Sequence, residues 1–331
     1  MMVRGTPPCL LAALVLLLGG CADSGSSEGA SSHTPHDIVL PRGAYPSHLL
    51  TSRDGSLWIS ESGEAVARRL PNGRLLQYRL PGSENSPGDL EEGPDEAIWI
   101  AGFEEFIRID PDNGSIGIGA GFGPHPNPEV GLPEVVAAGP DGAVWFGEGG
   151  VPPNLLRVGP DGSTSTYALI GVEEEAAING MALGPDRAIW LSLSEEFGSG
   201  HGEIGRFTPD GRLRLWHLPA DHAPRQIVAG PDGALWFAEG DHRIGRITTD
   251  GEISEFTLRP GLAVNDIAVG ENDSLWFTTK KRVGRIATSG KLKTWLVPDA
   301  DYLFAVAPAP AGGAWVGDGP ADRVRYFQPP S

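Results

Sequence analysis

Nine residues stand at a fixed distance ahead of recurring tryptophans and carry the side chains that could do chemistry. Eleven residues before successive Trp positions the chain reads Ser47, Gly88, Glu134, Asn179, Arg225, Asn265 and Phe304. Ten residues before them it reads His48, Asp89, Val135, Gly180, Gln226, Asp266 and Ala305. Three residues after three of these tryptophans come Glu61, Glu148 and Glu239, with Asp318 in the matching place of the last unit. Convergent carboxylates can hold a hard divalent cation, and an imidazole titrating near neutrality can take a proton. The spacing therefore raises a site with Glu134, Asp89, Glu239 and Asp266 as metal ligands, and with His48 as base. Arg225 would stabilise developing negative charge, and His222, in a linker between blades, is a second candidate base. Asn179, Gln226, Asn265 and Phe304 would contact a small-molecule ligand. The competing use of the same groups is to satisfy exposed backbone at strand ends around a water-filled channel.

The elements that must position these residues follow from the repeat. Trp58, Trp99, Trp145, Trp190, Trp236, Trp276 and Trp315 are separated by 41, 46, 45, 46, 40 and 39 residues, the length of one four-stranded propeller blade. In the fifth unit "RQIVAG" is a first strand, "GPDG" a tight turn, "ALWFAE" a second strand, "RIGRIT" a third and "EISEFTL" an alternating fourth. Pro presets φ in the turn and Gly suits its end. The last unit lacks a fourth strand, and "HDIVLP" (36–41) near the start supplies one. The expectation is an all-β, seven-bladed β-propeller of four-stranded antiparallel blades, closed by its N-terminal strand. The tryptophans fill the taper between blades. First-strand starts, second-strand ends and the loops joining blades share one face. His48, His125, His201, His222 and His242 all sort to it.

Composition bounds the partners. Gly (47) and Pro (30) favour turns over long helices, and a formal charge of −18 repels nucleic acid and anionic lipid. Residues 1–20 read as a signal peptide whose apolar run ends in "LGGC". This resembles a bacterial lipobox, which implies lipidation at Cys21 and a location in the cell envelope, with membrane contact only through the anchor. Residues 21–35 form a Ser/Gly-rich tether and 36–331 the propeller, expected as a monomer. With Cys9 removed, no disulfide, Cys-zinc site or thiol nucleophile remains. No Gly-x-Ser-x-Gly elbow or Rossmann fingerprint stands between a strand and a helix, and His-Glu-x-x-His and Walker signatures are absent.

"GPDGALWFAEGDHRIGRITTDGEISEFTL" (230–258) resembles the blades of the virginiamycin B (streptogramin B) lyase family. The likeness is clear in blades three, five and six, recognisable in one and four, and weak in two and seven. It implies a Mg²⁺-dependent lyase that linearises cyclic depsipeptide antibiotics by elimination across the ester C–O bond, without water, and hence antibiotic resistance. In the family a His removes the acidic Cα–H beside the ester carbonyl, and Mg²⁺ polarises that carbonyl. The family's histidines lie in late-blade Pro-His-x-Ile starts. Here those starts read "PRQI" and "VNDI", placing Arg225 and Asn265 where the histidines belong. Two other functions stay open on the residues. One is a binding propeller for a peptide or glycan. The other is a gluconolactonase-type lactonase, with a Ca²⁺ cage drawn from Glu134, Asn179, Asn265 and Asp266.

Overall fold

Each of the seven repeated tryptophans belongs to the second strand of a blade and lies against the next blade. A computed structural model describes residues 36–63, 65–80, 87–102, 106–119, 133–150, 152–172, 176–195, 201–220, 222–240 and 242–330. Cys21 and the leader lie outside them. The described residues form twenty-eight strands in seven antiparallel four-stranded sheets. Six sheets run in chain order, from β2–β5 (within 46–79) to β22–β25 (within 264–296). The seventh has the order β1-β28-β27-β26, with β26 at Leu303–Ala309 and β27 at Gly313–Asp318. Here β1 (Ile38–Val39) pairs with β28 (Arg323–Phe327), Ile38 opposite Val324. The N-terminal strand thus closes the ring, as the unfinished last unit implied.

Seven hydrophobic clusters fill the seven inter-blade seams. Trp58 packs with Ile98 and Ile100 of the second blade, and Trp315 packs with Leu57 and Ile59 of the first. The last contact is closure seen from the core. Six of the seven rings are almost fully excluded from solvent, and Trp99 nearly so. A buried indole also needs a partner for its N–H. Trp99, Trp190 and Trp236 donate Nε1 to Asp95, Asp186 and Asp232 of the turn before them, at 3.0, 3.0 and 2.9 Å. The other oxygen of each Asp accepts Nε of Arg108, Arg206 or Arg246 from the third strand. Arg108 and Arg246 lie over the same indoles, at 5.9 Å from each ring centre. The repeated turn Asp, the Trp and the Arg of "Gly-Arg" are therefore one hydrogen-bonded unit.

The Gly of that dipeptide has its own steric reason. A Cβ on Gly245 or Gly284 would run into the ring of Phe237 or Phe277. Gly233, at the end of the PDG turn, has φ +73°, which an L side chain tolerates poorly. Two residues after the Trp, small or hydroxyl side chains let the next blade approach. Ser60 Oγ donates to Gly88 O at 2.9 Å, and Thr278 Oγ1 to Phe304 O at 3.1 Å. Consecutive innermost strands touch all the way around the ring. The seven strand starts therefore surround a common axis.

Candidate functional site on the axial face

The first-strand starts carry a repeated irregularity. In six blades the register between first and second strands shifts between Pro46/His48, Pro133/Val135, Ile178/Gly180, Pro224/Ile227, Val264/Asp266 and Leu303/Val306. The residues skipped are Ser47, Glu134, Asn179, Arg225 with Gln226, Asn265, and Phe304 with Ala305. This is the ring picked out by spacing from Trp. A bulge re-aims side chains and recurs next to functional sites.

His48 is half-buried on β2 (Pro46–Thr51), with Nδ1 3.2 Å from Ser47 Oγ. Burial holds its pKa below the ordinary imidazole value, against the opposing pull of Asp89. Asp89 accepts Leu90 N at 2.9 Å and Val136 N at 3.4 Å. Asp266 does the same with Ile267 N at 2.8 Å and Val306 N at 2.7 Å. Burial pushes Asp266 up to about 7 against these N–H groups, and the charge of Asp89 adds to the rise. His48, Asp89 and Asp266, from blades one, two and six, thus share one electrostatic environment. Glu91 lies two residues on, within β6 (Leu90–Glu92), and burial lifts it to about 8.

The two asparagines connect blades. Asn179 Nδ2 donates to Ser194 Oγ at 2.6 Å and to Pro224 O at 3.0 Å. Asn265 Nδ2 donates to Leu303 O at 2.7 Å, and its Oδ1 lies 3.3 Å from Tyr302 Oη. Arg225 is exposed, and its guanidinium lies over the Cα of Gly240. Gln226 is half-buried with its amide against Gly180. Phe304 packs at a tilt 4.3 Å from Tyr302 and 5.2 Å from Tyr45, ring centre to ring centre. Spacing from Trp missed both tyrosines, because they lie in the linkers before their strands. Tyr45 itself has φ +41°, held by its N–H bond to Asp322.

The expected cation ligands lie in different surroundings. Asp89 and Asp266 reach the axial face, but each commits both oxygens to backbone N–H groups. Glu239 is fully buried at the end of β19 (Leu235–Glu239) and turns to His222 instead. The Glu134 side chain lies outside the described residues. Of the Ca²⁺ set, Asn179 and Asn265 donate their Nδ2 groups to carbonyls of neighbouring blades. Among the described residues, Asp89, Asp266 and Glu239 do not come together as a group of three. His222, expected as a second candidate base, lies against Glu239 and Glu255 and does not join His48. His201 is the first residue of β16 (His201–Phe207) and not a loop residue, and His125 lies outside the described residues.

Comparison with known proteins is consistent with this architecture. The family model for the virginiamycin B lyase family matches residues 28–192 and 170–328. The solved virginiamycin B lyase of Staphylococcus aureus is 25% identical, with a TM-score of 0.77, over 88% of this chain and 98% of that one. A catalytically inactive His-to-Ala variant of the S. aureus enzyme with quinupristin is also 25% identical, with a TM-score of 0.77, over 89% and 98%. A streptogramin B lyase structure, at 24% identity and a TM-score of 0.78 over 88% and 96%, shares the fold. Among curated proteins no sequence match is found.

Proposed function

The chain belongs to the virginiamycin B lyase family, and from that premise we propose that its axial face opens a cyclic ester or lactone by elimination. The observation that carries this reading is His48, an imidazole kept neutral by burial at a strand bulge on that face. A neutral imidazole can act as a base at neutral pH.

His48 would take the acidic Cα–H beside a carbonyl. The C–H pair becomes the new C=C bond, the C–O bond breaks, and the leaving carboxylate keeps that electron pair. The exposed guanidinium of Arg225 would attract the carbonyl or the departing carboxylate. Tyr45, Tyr302 and Phe304 offer an aromatic wall for an apolar ring of the substrate. Because Asp89, Asp266 and Glu239 do not come together, no step is assigned to a cation.

Incubation with quinupristin and with simple lactones tests this by mass spectrometry. Elimination gives a ring-opened product of unchanged mass, whereas hydrolysis adds one water. Intact rings under all conditions would reject the activity.

A second reading is favoured by one observation. The late-blade starts carry Arg225 and Asn265 in place of histidine, and the S. aureus enzyme is inactive as a His-to-Ala variant. A lipid-anchored propeller that binds a cyclic peptide or glycan without turnover would keep the same face. Calorimetric binding with no product formation would establish it. Export is proposed on the "LGGC" motif, and mass spectrometry of the Cys21 peptide, with or without acyl chains, decides it.

A further inference from the structure

We infer that His222, Glu239 and Glu255 form a site for a divalent transition cation of the Zn²⁺ type, set within blade five and apart from His48. His222 Nδ1 lies 3.2 Å from Glu239 Oε2 and 3.0 Å from Glu255 Oε1. One donor atom from each of the three lies within 4.8 Å of the others, the one such trio among the described residues. The His222 side chain is 9% exposed, and its Nδ1 has no properly aligned hydrogen-bond partner despite the two oxygens beside it. A buried ring nitrogen held close to two carboxylates but not bonded to them suits a ligand better than an ion pair.

The distances select the ion. Four donors about 2.0–2.1 Å from Zn²⁺ in a tetrahedron stand roughly 3.3 Å apart, close to the two contacts of the imidazole. One imidazole with two carboxylates is a mixed nitrogen and oxygen set, which suits Zn²⁺. Ca²⁺ would ask for six to eight oxygens and Mg²⁺ for a hydrated octahedron. Glu255, on the outermost strand β21 (Ile253–Thr257), is 27% exposed and leaves a path from solvent for the ion and a fourth, water ligand.

The surroundings orient the donors. Arg243 Nε lies 3.2 Å from Glu239 Oε2, the kind of second-layer contact that orients a ligating carboxylate. Its charge also offsets part of the repulsion between the two glutamates before a cation enters. The backbone of His222 passes so close to the third strand of blade four that a Cβ on Gly202 would overlap its carbonyl. His222 N is held at 3.2 Å by Pro219 O. The imidazole is therefore placed by rigid neighbours on both sides.

Calorimetric titration of the EDTA-stripped protein with ZnCl₂, in parallel with MgCl₂ and CaCl₂, tests the site. One Zn²⁺ per chain is expected, without comparable uptake of Mg²⁺ or Ca²⁺. Glu255→Gln, at a partly exposed position that keeps the fold, should weaken Zn²⁺ binding by about 100-fold, and His222→Gln should do the same. Circular dichroism verifies folding of both variants. Absence of stoichiometric Zn²⁺ binding, affinity unchanged in Glu255→Gln, or preference for Mg²⁺ or Ca²⁺ would overturn the assignment. The readout is binding alone, so it is independent of whether His48 supports elimination.

Discussion

At the scale of single residues, burial sets what the histidines can do. His48 is held neutral because an imidazolium on that half-buried bulge would lose more hydration than Asp89 returns. A base of this kind works in its unprotonated form. The rate of ring opening should therefore stay level through neutrality, and fall only at a pH below the usual imidazole range, where His48 gains its proton. A pH–rate profile of kcat/KM checks this, and an acid limb at or above the ordinary value would count against His48 as base. His48→Gln should lower kcat by about 100-fold or more, the scale of general-base catalysis, with the melting temperature little changed. Spacing from Trp was enough to put His48, Asn265 and Phe304 on one face. It could not show that the Asn179 and Asn265 amides bridge neighbouring blades, because that depends on carbonyls supplied by the next blade. Nor could it reveal Glu255. On an alternating outer strand that residue reads as an ordinary solvated position, and it meets His222 only because the linker between blades four and five folds back.

At the scale of the blade, the repeated turn, Trp and Arg act together. Asp186 shows the balance. Burial pushes its carboxyl up, but the hydrogen bonds from Trp190 and Arg206 outweigh burial and leave it below the ordinary Asp range. A carboxylate depressed in the folded state stabilises fully above its unfolded pKa, and loses that contribution as pH falls through the folded value. Asp186→Ala should therefore cost about 2 kcal/mol at neutral pH, the scale of charge-assisted hydrogen bonds. The gap to the unmodified protein should narrow in acid. Urea unfolding midpoints measured across pH 7 to 3 check both parts. The strand pattern made the Trp legible as filler between blades, while its pairing with the turn Asp needed the turn geometry itself. The neighbouring Gly is a steric requirement of the same unit. Gly245→Ala places a methyl into the Phe237 ring and should destabilise by about 1–3 kcal/mol, read from the shift in the same urea midpoint.

At the scale of the molecule, everything placed on the axial face depends on the ring being closed. The unfinished seventh unit and the apolar "DIVL" near the start were legible together, because a sheet edge left open in a ring is a liability. Closure is made by few residues. Ile38 and Leu40 are buried against the seam, and Leu40 N bonds Asp322 O at 2.9 Å. Asp322 also receives Gly43 N at 2.8 Å and Tyr45 N at 3.0 Å. These two N–H groups are the main reason its carboxyl lies below the ordinary value, so the clasp persists until the solution is acidic. A chain shortened to begin after Leu40 loses both apolar side chains, worth about 1.5–3 kcal/mol each, and leaves β28 with an unpaired edge. It should melt several degrees lower by calorimetry, and should associate with rising concentration by sedimentation as β28 finds an edge on another molecule. Losing the Leu40 N bond to Asp322 O would loosen the Asp322 clasp on Tyr45, and with it the aromatic wall at Phe304. Ligand binding should therefore weaken together with the melting temperature. A shortened chain that melted and sedimented like the full one would mean that the seven seams hold the ring without the N-terminal strand.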